Sequence, residues 1–168
     1  NDPTADISGD TTICEDGTAS LRIDLTADNP PWSVIITQGG SNYDTVNNIN
    51  SSPYYYDVSE AGLYQIGEVS DQYCEGTTSG SATVIVNPLP EATISGDATI
   101  CQGETTPVFI DLTTGTMPWS VTYTIDGGNP TTINNINTDP HMFNVSDPGV
   151  YEIQSVTDAN GCTGSGSG

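Results

Sequence analysis

Four cysteines are the residues of this chain best equipped for chemistry, and they fall into two matching pairs, Cys14 with Cys74 and Cys101 with Cys162. A zinc site would ask for closely spaced C-x-x-C ligands and a supporting His, and neither is present. Matching placement in two parts of the chain points instead to disulfides Cys14–Cys74 and Cys101–Cys162, and so to an oxidising compartment. Acid–base or nucleophilic catalysis finds little to work with. His141 is the single histidine, and no spacing among the 22 acidic residues fixes a pair of carboxylates across a cleft. No enzyme is expected. For calcium, Asp158-Ala159-Asn160-Gly161 carries the oxygen donors of half a loop, and Asp71 stands where Asp158 stands. The bidentate acid that would complete such a loop is missing, so Asp71, Asp158 and Asn160 form an incomplete ligand set. Calcium is the one ion these residues suggest, and no other cofactor is expected.

The elements that must position these residues are written twice. Ala5–Cys14 reads ADISGDTTIC and Ala92–Cys101 reads ATISGDATIC, an offset of 87 residues. The same offset carries Pro31-Trp32-Ser33-Val34 onto Pro118-Trp119-Ser120-Val121, and Asn47–Asn50 onto Asn134–Asn137. One extra residue enters later, so Cys74 matches Cys162 at an offset of 88. Self-similarity of this kind decides architecture before any local pattern does. The sequence therefore predicts a first repeat over 1–87, a proline-rich linker over 88–91 and a second repeat over 92–168.

Within each repeat the apolar period is 2. Leu21, Ile23 and Leu25 alternate with Arg22 and Asp24, and Trp32, Val34 and Ile36 alternate with Ser33, Ile35 and Thr37. Turn clusters such as Glu15-Asp16-Gly17, Gly39-Gly40 and Glu60-Ala61-Gly62 punctuate these runs. Short strands at such intervals predict an all-β chain of two tandem immunoglobulin-like β-sandwiches, about seven strands each. Glu60–Tyr64 and Asp147–Tyr151 both resemble the acidic-x-Gly-x-Tyr corner that opens strand F of such sandwiches, which assigns Tyr64 and Tyr151 as corner tyrosines. Cys14 precedes strand B and Cys74 follows strand F, so a bond between them is expected to tie one end of a sandwich.

The closing strand Ser81–Val86 has no counterpart after Gly168, so the second sandwich is expected to lack its last strand. The edge near Tyr151 and Ile153 is then expected to be unpaired, an edge open either to continuing chain or to a strand donated by an identical subunit.

Charge excludes whole classes of partner. With one Arg, no Lys and a formal charge of −21, the chain cannot neutralise a phosphate backbone, so nucleic acid is not a partner. No apolar run reaches the ~18 residues of a membrane span, so no membrane insertion is expected. Tyr54-Tyr55-Tyr56 could stack on sugar rings, but the second repeat has His141-Met142-Phe143 there. Alternation turns Tyr56 inward.

The order ISGD-x-x-IC, PWSV, NNI, acidic-x-Gly-x-Tyr, the second Cys and SATVIVNPLP resembles tandem Ig-like or PKD-like repeats of large surface proteins of Bacteroidota, typically exported by the type IX system. Ser155–Cys162 (SVTDANGC) is its most typical stretch. The Gly-Asp-Gly signature of PKD repeats is absent. The resemblance implies a secreted, extracellular or cell-surface adhesin, stalk or filament, whose partners are further repeats or identical subunits, with surface glycans as the alternative ligand. It also implies O-glycosylation at Asp-[Ser/Thr]-x sites, which Asp10-Thr11-Thr12 and Asp44-Thr45-Val46 match at Thr11 and Thr45.

Overall fold

Alternation sets the inward face of each strand. In the computed structural model, which describes residues 1–26 and 29–168, two units appear, Asn1–Val86 and Asn87–Gly168, each with its own apolar core. The first unit contains β1 (Thr4–Ser8), β2 (Thr11–Cys14), β3 (Ala19–Thr26), β4 (Trp32–Gln38), β5 (Ser41–Ile49), β6 (Tyr54–Val58), β7 (Gly62–Ser70), β8 (Thr77–Gly80) and β9 (Ala82–Asn87). Its two sheets have the orders β6-β3-β1-β8 and β2-β9-β7-β4-β5. Leu21, Ile23 and Leu25 of one sheet and Val34, Ile36 and Tyr64 of the other are buried in the core. Each such side chain contributes about 1.5–3 kcal/mol by leaving water.

The nine segments are seven strands, two of which break and change sheets. β1 and β2 are halves of the first strand, separated at Gly9, whose φ is +125°. β8 and β9 are halves of the last, separated after Gly80. Gly80 has φ +77°, and a Cβ there would lie 2.3 Å from the Ile7 carbonyl oxygen, so only glycine lets β8 run this close beside β1.

The second unit contains β10 (Ala92–Ser95), β11 (Thr106–Leu112), β12 (Trp119–Ile125), β13 (Thr131–Ile136), β14 (His141–Val145), β15 (Tyr151–Thr157), β16 (Thr163–Gly164) and β17 (Gly166–Ser167). Its sheets run β14-β11-β10-β17 and β13-β12-β15-β16. The fold is thus all-β, two Ig-like sandwiches, and among the described residues no helix is long and apolar enough to cross a membrane. Among those residues nothing pairs with Tyr151–Ile153 on the side where β9 covers Gly62–Tyr64 in the first unit. The last strand is therefore not wholly absent, as the sequence led one to expect: β17 runs parallel to β10 as β8 runs beside β1, and it is the half matching β9 that has no counterpart among the described residues. A counterpart of β2 is absent there as well. Thr99-Ile100-Cys101 repeats Thr12-Ile13-Cys14, yet forms no strand, whereas its counterpart β2 lies beside β9. Without that neighbour the same residues have no ladder to join.

The repeated NNIN stretch has a local cause. Asn48 and Asn135 adopt φ of 59° and 58°, a conformation that Asn tolerates better than most residues. Asn50 and Asn137 then donate their side-chain amides to the carbonyls of Asn48 (2.7 Å) and Asn135 (2.8 Å). The peptide bonds preceding Pro31, Pro53, Pro118 and Pro140 are cis, at two matching places in each repeat.

Candidate functional site

The chemistry-bearing residues collect at the two poles of each sandwich. The upstream pole of the first unit is where β1 begins, with Thr4 opposite Thr26 at the end of β3 and Thr77 at the start of β8. The downstream pole is where β3 and β7 begin, with Ala19 opposite Val58 and Gly62 opposite Val84.

At the downstream pole, Tyr64 is fully buried, and its hydroxyl donates to the Glu60 carbonyl at 2.8 Å. Gln38 Nε2 donates to the same hydroxyl at 2.9 Å and to the Ala61 carbonyl at 3.2 Å, so one amide braces both sides of the corner. Tyr43 packs edge-on against the ring, with centroids 5.4 Å apart at 86°. Burial, followed by the nearby Tyr43, pushes the Tyr64 hydroxyl up to about 12. Tyr151 makes the matching bond to the Asp147 carbonyl at 3.0 Å and packs on Tyr123, 5.8 Å between centroids. Burial raises its pKa as well, followed by the Asp147 charge. Gln38 itself aligns with Ile125, so the second corner lacks the amide brace.

At the upstream pole, an Asp organises the loop carrying the late cysteine of each repeat. Asp71 Oδ1 accepts the backbone N–H groups of Tyr73 and Cys74, both at 2.8 Å, and these bonds hold its carboxyl below the usual carboxylate range. Asp158 does more. Its Oδ1 accepts from the N–H of Asn160 (2.9 Å) and Cys162 (3.0 Å), while Oδ2 accepts from the N–H of Thr116 (3.0 Å). Asn160 Nδ2 turns toward Oδ2 at 3.4 Å and toward Thr116 Oγ1 at 3.0 Å. The three residues raised for calcium are thus occupied in building turns. Among the described residues no group of three or more His, Cys, Asp or Glu side chains is gathered as a metal site.

The cysteines correct the sequence reading. Cys74 and Cys101 are free and exposed, while Cys14 and Cys162 are disulfide-bonded, so neither Cys14–Cys74 nor Cys101–Cys162 is formed. Strands B and F are the reason. β3 and β7 both start at the downstream pole, because each pairs antiparallel with β6 or β4 in the alternating up-and-down order. A cysteine before β3 and one after β7 therefore sit at opposite poles, not at one end. Cys14 closes a turn to Gly17 just ahead of β3, and Cys74 follows Ser70 beyond the far end of β7. The nine residues of β7 separate them by roughly 25 Å at ~3.3 Å per residue, against the ~4.4–6.8 Å between Cα atoms that a disulfide spans. In the second unit, Cys101 turns to Glu104 ahead of β11, whereas Cys162 follows β15, which repeats the arrangement.

Other singled-out residues stay apart. His141 stacks on Phe143 at 6.2 Å, and Tyr54 and Tyr56 lean on the first core. Tyr55 and Met142, at matching positions, are 58% and 56% exposed. Thr45 is exposed on β5, and Thr11 is half-buried on β2. A cavity of about 730 Å³ in the second unit is lined by Ile94, Cys101, Val108, Asp147, Val150 and Tyr151 among others. It occupies the downstream pole, where β2 and β9 cover the first unit.

A family model described as the Ig-like domain of nucleoporin POM152 matches residues 3–84 and 91–166. No curated protein matches the chain. Among solved structures, the human OSCAR ligand-binding domain is 13% identical over 99% of this chain and 97% of its own, with a TM-score of 0.42. A 1.5-MDa bacterial ice-binding adhesin structure is 18% identical over 98% of this chain and 62% of its own, TM-score 0.47. The N-terminal eight Ig domains of DSCAM are 12% identical over 86% of this chain and 27% of theirs, TM-score 0.49. Each is a distant likeness in fold. The family match covers both repeats, almost from end to end, and the chain therefore belongs to the POM152 Ig-like domain family, which it contains twice in tandem.

Proposed function

We propose that this Ig-like pair is a structural repeat segment of an extracellular stalk, surface adhesin or filament. One observation carries the reading: what the two repeats share builds the sandwich, and what could recognise a ligand differs between them. The corner tyrosines, the loop aspartates, the NNIN turns and the polar placement of cysteines recur. The aromatic run Tyr54–Tyr56 is replaced by His141–Phe143, and Gln38 by Ile125. A surface under selection for one ligand would be the part kept. The disulfide state of Cys14 and Cys162 supports an oxidising location, and a charge of −21 suits a solvated, self-repelling surface. Origin in a protein exported by Bacteroidota, with glycans on Thr11 and Thr45, belongs to the same reading and rests on the quoted motifs. So do its partners: further repeats or identical subunits.

The alternative is a carbohydrate- or ligand-binding module, favoured by the exposed Tyr55 and by the cavity at the second downstream pole. A glycan array and a calcium titration of the chain separate the two. The structural reading expects no selective glycan and no calcium-dependent rise in melting temperature. Selective binding in the micromolar range, abolished by Tyr55→Ala, would support the module instead.

A further inference from the structure

Each repeat carries one cysteine at its upstream pole and one at its downstream pole, too far apart to meet within the repeat. The upstream cysteines are Cys74 and Cys162, and the downstream ones are Cys14 and Cys101. Of each matching pair, one member is disulfide-bonded and the other is a free, exposed thiol. The bonded member is an internal standard for its twin: Cys162 shows that the upstream position forms a disulfide, and Cys14 shows the same for the downstream position. The geometry that keeps both from their own repeat applies equally to Cys74 and Cys101.

From this we infer that Cys74 and Cys101 are joining points, each forming a disulfide with the opposite-pole cysteine of a second copy of this chain: Cys101 of one copy with Cys74 of the next. The inference rests on the structural reading above and names the partner of that repeat. Chain direction gives the pairing its polarity. β1 and β10 lead away from the upstream poles, and the chain proceeds to the downstream ones, so head-to-tail succession faces a downstream cysteine with an upstream cysteine. A contact of this heterologous kind does not close on itself, and it extends into a linear array.

The step is a two-electron oxidation. The Cys101 thiolate attacks the sulfur of a disulfide oxidant, such as oxidised glutathione or an oxidised dithiol protein, and displaces one thiolate of the oxidant. The Cys74 thiolate then attacks the mixed disulfide at the Cys101 sulfur and displaces the second. One S–S bond forms between the chains, the oxidant's S–S bond breaks, and the two protons given up by the cysteines are taken up by its displaced thiolates, so that it leaves as two thiols. Asp71, Glu75 and Glu104 lie close in sequence to the two thiols, so like-charge repulsion slows encounter and salt is needed to screen it.

The test mixes two variants, Cys74→Ser and Cys101→Ser, each with one free thiol and with Cys14 and Cys162 untouched. Both substitutions fall at exposed positions, and circular dichroism checks that each variant keeps the wild-type fold. Equal amounts are equilibrated in a reduced/oxidised glutathione buffer at ~0.15 M salt, and the linked dimers are identified by non-reducing peptide mapping. Random pairing makes the Cys101–Cys74 heterodimer as abundant as the two homodimers together. The inference expects at least about a tenfold excess of heterodimer, and a ladder of longer oligomers from the wild-type chain alone. A random distribution, dominant homodimers, or glutathione adducts with no linked dimer would each overturn it. Selective glycan binding would sink the structural reading and leave this ratio where it stands, so the two failures are told apart.

Discussion

Replacing Tyr64 by Ala is expected to cost the first unit about 3–5 kcal/mol of stability, and replacing it by Phe about 1 kcal/mol. The ring is fully buried in the core between the two sheets, and its loss opens a ring-sized hole that β4 and β7 cannot close. Phe keeps the ring and removes only the hydroxyl, leaving the Glu60 carbonyl and Gln38 Nε2 without that partner. The hydroxyl also makes stability depend on alkaline pH. Its pKa is pushed up to about 12 in the folded unit, against ~10 in an unfolded chain, because burial disfavours the phenolate. A raised folded value means the contribution is whole below pH 10 and is lost as pH rises toward 12. The loss reaches about 2–3 kcal/mol for a shift of this size. Urea titrations at pH 8 and pH 11.5, with thiols blocked, should therefore show a steeper fall for wild type than for Tyr64→Phe. Equal falls would mean that Tyr64 does not ionise on unfolding in the way its burial requires.

Asp158→Ala should cost the second unit about 2–4 kcal/mol, because one buried carboxylate accepts three backbone N–H groups that have no other acceptor described. Asp158→Asn keeps the shape but presents an amide donor to one of those N–H groups, so it should recover only part of the loss. Asp71→Ala, at the matching but only half-buried position with two such bonds, should be milder. Thermal unfolding of the three variants checks the order. If Asp158→Ala proves no worse than Asp71→Ala, the carboxylate is not what holds the Thr116 and Cys162 segments together. Calcium added to the three variants should leave this ranking unchanged.

The sandwich was readable because its information is local. Alternation at Leu21, Ile23 and Leu25 names the inward face of β3 without reference to any partner, and the corner tyrosines follow from a five-residue pattern. What escaped the sequence depends on neighbours far along the chain. Thr12-Ile13-Cys14 and Thr99-Ile100-Cys101 are the same three residues, yet only the first triplet is a strand, because only it has β9 beside it. The cysteine pairing failed for a related reason. Equivalent placement says that two cysteines recur, not that they meet, and period 2 reports faces rather than poles. A signal was available: counting strand reversals from β3 to β7 gives an even number, so both run the same way and their outer flanks lie at opposite ends. The role of Asp158 was hidden because a short Asp-x-Asn-Gly stretch reads equally as a turn or as half an ion loop. The three N–H contacts are what show the turn.

The cysteines of each repeat lie at opposite poles of the sandwich, placed to join neighbours rather than to close one repeat. Alkylating the 168-residue chain under non-reducing conditions, followed by peptide mapping, tests this placement most directly. In monomer isolated before any oxidant is added, label is expected on Cys74 and Cys101, with Cys14 and Cys162 protected until reductant is added. Recovery of a Cys14–Cys74 or a Cys101–Cys162 peptide from the native chain would contradict it.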